Sequence, residues 1–142
     1  MALVRVLVVD DGEDWQRSIS ALLKEEPSVE IVGEASDGVQ AVQIAGELKP
    51  TIVLLDIGLP RVNGIQAGEW IRKLTPDSKI IFVSQEFDPE IIDAAMQIGA
   101  YGFVLKSDLT ETLIPAIHAA LGGEKFMSKG LVHYLFRNRS EE

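Results

Sequence analysis

The sequence predicts an α/β domain in which a parallel sheet carries helices on both faces. Strand-like and helix-like patterns alternate five times along the 142 residues, the signature of parallel strands joined by helical crossovers. The strand-like runs are apolar at consecutive positions, as in Leu7-Val8-Val9 and Ile52-Val53-Leu54-Leu55. Such runs fit strands buried on both faces, not strands with one face in water. Polar chemistry stands at their ends: Asp10 and Asp11 follow the first run, Asp56 the third and Lys106 the fifth. Ligands of open α/β sheets bind outside the carboxyl ends of the strands. Folding should therefore gather three carboxylates and one ammonium on a single edge.

Each element has its own signal. Residues 4–9 are strand-like, and residues 13–25 place Trp15, Ile19, Leu22 and Leu23 on one helical face before Pro27 closes the element. A second strand is predicted over Val29 to Ala35. Asp37 is placed to cap the helix that follows, in which Ala41, Ile44, Ala45 and Leu48 form one buried stripe, widened by Val42. Pro50 ends that helix, and Thr51 to Leu55 give the third strand. Gly58-Leu-Pro-Arg-Val-Asn-Gly64 reads as a loop. A helix over 65–74 and a strand over 79–84 follow. Asp88-Pro89 has the form of an N-cap with proline at the first helical position, opening a helix with Ile91, Ile92, Ala95, Met96 and Ile98 that stops at Gly99. Residues 101–105 make the fifth strand. The last helix runs from Leu109 to Leu121 and is stopped by Gly122-Gly123. Pro115 lies inside it, which predicts a late start or a kink.

The composition narrows the function classes. At 142 residues the chain suits one domain with a substantial core. A net charge of −9 argues against gripping nucleic acid or an anionic membrane by electrostatics. Cysteine is absent, which excludes disulfides and thiolate metal sites. The N-terminus lacks a basic region and cleavage pattern, and no apolar stretch reaches membrane-spanning length. A soluble, cytoplasmic domain without membrane partners is the expectation.

Singly, the polar residues at the strand ends are weak signals, since an acid after a strand is commonly a turn or a helix cap. Jointly they are specific, with Ser84 ending the fourth strand between Asp56 and Lys106 in the order of the chain. Magnesium prefers one or two carboxylates, waters and phosphate oxygens to a full protein cage. A carboxylate can also act as a nucleophile toward phosphorus, and phosphoryl transfer needs little beyond in-line positioning and charge neutralisation. Asp11 and Asp56 with Asp10 suit the cation, while Lys106 and the Ser84 hydroxyl suit phosphoryl oxygens. Trp15 and Trp70 are expected to be packing or partly exposed residues, His118 a helix-surface residue, and His133 uninformative.

The segments Leu7-Val-Val-Asp-Asp11, Val53-Leu-Leu-Asp-Ile-Gly-Leu-Pro60 with Asn63-Gly64, Ile81-Phe-Val-Ser84 and Gly99-Ala-Tyr-Gly-Phe-Val-Leu-Lys106 resemble the receiver domain of bacterial two-component response regulators. The resemblance covers residues 3–122 in order. Gly33-Glu-Ala-Ser-Asp-Gly38 and Gly122-Gly-Glu-Lys-Phe-Met-Ser128 are similar to receivers of the NarL/FixJ group, which carry LuxR-type helix-turn-helix domains. The implied fold is flavodoxin-like (CheY-like), a doubly wound five-stranded parallel sheet in the order 2-1-3-4-5. The implied function is that of a regulatory module, not an enzyme with an external substrate. A sensor histidine kinase phosphorylates it, and it switches partner or dimer contacts to control transcription.

By the same resemblance Asp56 is the phosphoacceptor, and Asp10, Asp11, Asp56 and the backbone carbonyl of Gly58 hold Mg²⁺ or Mn²⁺. Ser84 is the switch hydroxyl, Lys106 the phosphate-binding lysine and Phe103 the switch aromatic, chosen over Tyr101 by its spacing from Lys106. Some positions depart from the family pattern. Gln85 stands where many receivers keep Ala or Gly, which crowds the pocket. Ser107 replaces a frequent proline, so a cis bond before it would cost about 2.5–4 kcal/mol. Glu86 and Gly58 occupy positions that tune phosphate lifetime.

Two other readings stand beside this one. A haloacid-dehalogenase-like phosphatase would place its nucleophile after the first strand with a second Asp two residues on, but position 12 is Gly. A degenerate receiver would act as a protein-interaction domain without phosphorylation. The receiver is expected over 1–122, with 123–142 as an extension or linker that forms a short helix. There Ser128 caps and Leu131, Val132, Leu135 and Phe136 share one side, suited to folding back, to extending the last helix or to a dimer contact. DNA would be reached only through an output domain absent from these residues.

Overall fold

The computed structural model describes residues 3–85 and 88–132. Strands β1 (Val4–Val9), β2 (Val29–Ala35), β3 (Ile52–Asp56), β4 (Lys79–Ser84) and β5 (Gly102–Leu105) alternate with helices α1 (Glu13–Lys24), α2 (Gly38–Leu48), α3 (Gly64–Leu74), α4 (Pro89–Ile98) and α5 (Leu109–Leu121). All pairings are parallel. The order β2-β1-β3-β4-β5 is the expected one, and β6 (Phe126–Met127) extends it on the β5 side.

Successive residues of a strand point to opposite faces, so the apolar runs feed two separate cores. Leu7, Val9, Leu55, Phe82 and Phe103 pack with Ala41 and Ala45 of α2, Ala67 and Ile71 of α3, and Ile92 and Ala95 of α4. Val6, Val8, Leu54, Ile81, Val83 and Val104 pack with Ile19 and Leu23 of α1 and Leu113, Ala116, Ile117 and Ala120 of α5. Covering both faces explains why the middle residues of the inner strands are apolar at consecutive positions.

The helix starts follow local chemistry. The Asp37 carboxylate accepts the Gln40 N–H at 2.8 Å. Asn63 and Gln66 form a reciprocal capping box at α3. The Asp88 carboxylate accepts the Glu90 N–H at 2.9 Å, with Pro89 in the first turn. Gly99 closes α4 at φ 94°, a left-handed conformation that glycine adopts without strain.

Two differences from expectation lie at the C-terminal end. Helix α5 begins at Leu109 directly after a 3-10 turn over Lys106–Asp108, so Pro115 does not delay it. Pro115 and Glu111, whose carbonyl loses its helical partner to the proline, are both exposed, so water can replace the missing bond. The second difference is β6, whose two residues are too short to show a period and follow a Gly-Gly stop. It pairs Gly102 with Phe126 and Phe103 with Met127. Ser128 behind it is fully buried: its hydroxyl accepts the Leu105 N–H at 2.9 Å and donates to Asp108 Oδ1 at 3.1 Å. The chain is helical over 129–132. Leu131 is buried in this chain's own core, while Val132 is exposed, so these two do not share a face. Leu135, Phe136, His133 and Glu86 lie outside the described residues. Among the described residues no peptide bond is cis, and no helix is long and apolar enough to cross a membrane.

Candidate functional site

The topology brings the predicted residues to one edge. Asp56 ends β3 opposite Val83, and Ser84 ends β4 opposite Leu105, directly before Lys106. On the other side of β3, β1 ends at Val9 beside Leu55, and Asp10 and Asp11 follow. A cavity of about 420 Å³ there is lined by Asp10, Asp11, Asp56, Gly58, Ser84 and Lys106, together with Trp15 and Gln85.

Local bonds aim the acids. The Asp10 backbone continues the ladder, its N–H donating to Ala35 O at 3.0 Å. Its Oδ1 accepts the Gly12 N–H at 2.8 Å, a turn in which the side chain replaces a backbone carbonyl. The Gln16 amide donates to Asp10 O at 2.7 Å and Ala35 O at 2.9 Å, fastening the ends of β1 and β2. Asp56 Oδ1 accepts the Gly58 N–H at 3.2 Å. Behind Asp56, α3 starts so close that a Cβ on Gly64 would lie 2.1 Å from Asp56 O, and one on Gly38 would lie 1.8 Å from Val62 O. These two glycines let the β3–α3 loop press against the sheet edge. Arg61 in that loop adopts φ 70°, and its guanidinium reaches Asp37 at 3.4 Å.

Carboxylate oxygens of Asp10, Asp11 and Asp56 lie within 4.8 Å of one another. The Lys106 ammonium sits 2.7 Å from Asp10 Oδ2 and 3.6 Å from Asp56 Oδ2, with its side chain only 4% exposed. Burial pushes the Asp56 carboxyl above the usual carboxylate range, and the negative charges of Asp10 and, more weakly, Asp11 push the same way. Lys106 and the Gly58 N–H oppose them without prevailing. Asp10 Oδ2 is buried and accepts no aligned hydrogen bond, meeting Lys106 only as an ion pair. Three carboxylates this close, two of them buried, fit a hard divalent cation with oxygen ligands.

The response regulator receiver domain model matches residues 6–118. The chain belongs to the response regulator receiver family. It is 34% identical over 122 residues to the transcriptional regulatory protein LiaR of Bacillus subtilis (strain 168), covering 86% of this chain and 58% of that one. It is 32% identical over 130 residues to the nitrate/nitrite response regulator protein NarL of Escherichia coli (strain K12), covering 92% and 60%. Among solved structures, a LuxR-family two-component response regulator from Aurantimonas sp. SI85-9A1 superposes with a TM-score of 0.92 at 29% identity, covering 98% of this chain and 99% of that one. The chain spans about three fifths of the length of these two sequence relatives.

Within the receiver the other singled-out residues separate. Phe103 is fully buried and its ring faces Phe82 at 6.4 Å between centroids, whereas Tyr101 is half-buried with the Lys79 ammonium 5.2 Å from its ring. Gln85 is exposed at the cavity edge. Trp70 is 57% exposed on α3. His118 lies on the surface of α5 with Nε2 3.8 Å from Glu26. Gly38 and Gln16 were not legible as site residues: the first is one glycine in a turn, and the second is one polar residue on a helix.

The raised Asp56 pKa has a thermodynamic consequence. Ionised Asp56 is less at ease in the fold than in the unfolded chain, and that penalty is present above its folded-state pKa and absent below the ordinary carboxylate range. In metal-free buffer Asp56→Asn should therefore melt higher than wild type near neutral pH. The gap should close as pH falls through the folded-state pKa of Asp56. Thermal melts in chelator across the acid-to-neutral range would show it, and a variant that melts lower at neutral pH would refute it.

Proposed function

We propose that Asp56 is the phosphoacceptor of this receiver, taking a phosphoryl group from a phosphohistidine on a sensor histidine kinase in the cytoplasm. An Asp56 oxygen attacks phosphorus, an O–P bond forms, the donor's P–N bond breaks, and the leaving imidazole takes up a proton. Asp10, Asp11, Asp56 and the Gly58 carbonyl would hold Mg²⁺ or Mn²⁺, which supplies charge neutralisation and orientation for the phosphoryl oxygens. Lys106 neutralises a further oxygen, and Ser84 offers its hydroxyl. The observation that carries this reading is the joint one: three acids within 4.8 Å, with Lys106 against two of them, all in one cavity with Ser84.

On this reading the domain is a regulator and not an enzyme with a separate substrate. The new phosphoryl group shifts the population between two packings, through Ser84 on β4 and the neighbouring Phe103 on β5. The change alters contacts with partners, a second copy among them. Transcription would be controlled through an output domain following the receiver of residues 1–122, with 123–142 as the extension that leads to it from the β6 and Ser128 anchor on β5. The names of LiaR and NarL, and the three fifths of their length that the chain spans, support that arrangement.

The test is intact mass after incubation with Mg²⁺ and acetyl phosphate. One phosphoryl adduct is expected on wild type, with none on Asp56→Asn or in chelator. No adduct under conditions that label another receiver would leave an interaction domain that works without phosphorylation, with Gln85 the first residue to replace.

A further inference from the structure

Trp15 does more than pack. Its ring lies 4.9 Å from the Lys106 ammonium, measured to the centroid. It lines the same cavity as Asp10, Asp56 and Ser84. It is half-buried and rests against the face of the sheet that holds Ile19, one helical turn further along α1. Gly12 makes room for it: a Cβ there would stand 3.3 Å from Trp15 Cδ1 and 3.3 Å from Asp10 Oδ1. Lys106 thus meets Asp10 at 2.7 Å, Asp56 at 3.6 Å and the indole face. The two acids attract the ammonium by charge, and the ring lies against it as well. An indole face attracts a cation more strongly than the other aromatic rings do, and more so where water is excluded.

Building on the proposed role of Asp56, we infer that Trp15 is a positioning residue for Lys106. It holds the ammonium of a long, flexible side chain where an incoming phosphoryl oxygen at Asp56 will meet it, and it limits the swing of that side chain toward water. A phosphoryl group arriving at Asp56 changes the charge beside Lys106 and the ring that faces it, so Trp15 also senses the state of the site.

The test uses a Trp70→Phe background, because Trp70 on α3 lies outside the cavity and its removal leaves Trp15 as the single tryptophan. Adduct formation with acetyl phosphate and Mg²⁺ is followed by intact mass for Trp15, Trp15→Phe and Trp15→Leu. Leucine should slow it about five- to tenfold and phenylalanine by no more than about twofold, as loss and partial retention of a desolvated cation–π contact require. Equal rates in all three, or phenylalanine as slow as leucine, would reduce the ring to packing. Should Trp15→Leu fail to fold, Trp15 emission decides. It should change on adding acetyl phosphate with Mg²⁺ and stay unchanged when Asp56→Asn is also present. An adduct without any emission change overturns the sensing role. No adduct on the Trp15 parent overturns the phosphoacceptor reading instead, and this role for the ring with it.

Discussion

Replacing Lys106 by alanine is expected to lower folding stability in metal-free buffer near neutral pH by about 3–5 kcal/mol, the cost of removing one partner from a buried ion pair. The reason is what the lysine leaves behind. Asp10 is 1% exposed and Asp56 6% exposed, and their carboxylates would face each other without a cation. Two escapes remain, protonation or metal. Part of the lost stability should therefore return when Mg²⁺ is added, since ligand binding to the native state alone stabilises it by mass action. Urea titrations of wild type and Lys106→Ala, each in chelator and in Mg²⁺, would measure both effects. A variant that unfolds at the wild-type urea concentration in chelator would show that the ammonium contributes nothing net to the acid cluster.

Gly64→Ala should be comparably damaging, by about 3–5 kcal/mol, the range reserved for severe packing and strain defects. The added methyl group would lie 2.1 Å from Asp56 O and 2.6 Å from Ile57 Cα. Both are backbone atoms, so no side-chain rotation relieves the clash. Either α3 moves off the sheet or the end of β3 is pushed toward the cavity. In both cases the Asp56 carboxylate loses its place among the other acids, so Mg²⁺ should stabilise this variant less than it stabilises wild type. Gly68→Ala is the control on the same helix. Its Cβ would meet Phe82 Cζ at 3.0 Å, a side-chain contact away from the site. Equal Mg²⁺ responses in the two variants would separate Gly64 from the site.

Much of this fold can be read from the chain because four of its strands, β1, β3, β4 and β5, are inner strands. Consecutive apolar residues in β1, β3, β4 and β5 are demanded by two covered faces, and the acids, hydroxyl and lysine at their ends then fall on one edge by topology alone. What could not be read lies in contacts that leave no periodic trace. The two-residue β6 is fixed by pairing with β5 and by the Ser128 hydroxyl on Leu105 N–H. The nearness of Trp15 to Lys106 depends on a crossover of the whole chain, since 91 residues separate them. The α1 period gives Trp15 a place beside Ile19 but says nothing of what stands across from its ring. Gly38 and Gly64 look alike as loop glycines, and only the positions of Val62 O and Asp56 O show why neither admits a side chain.

The sixth strand also makes the domain a mechanical object. Phe126 N–H is bonded to Tyr101 O at 3.0 Å, Ser128 N–H to Phe103 O at 3.1 Å, and Leu105 N–H to the Ser128 hydroxyl at 2.9 Å. Whatever is attached beyond residue 132 is therefore tethered to the strand that bears Phe103 and runs straight into Lys106. Tension on that tether would fall first on β6 and on these bonds, beside the strand that leads into Lys106.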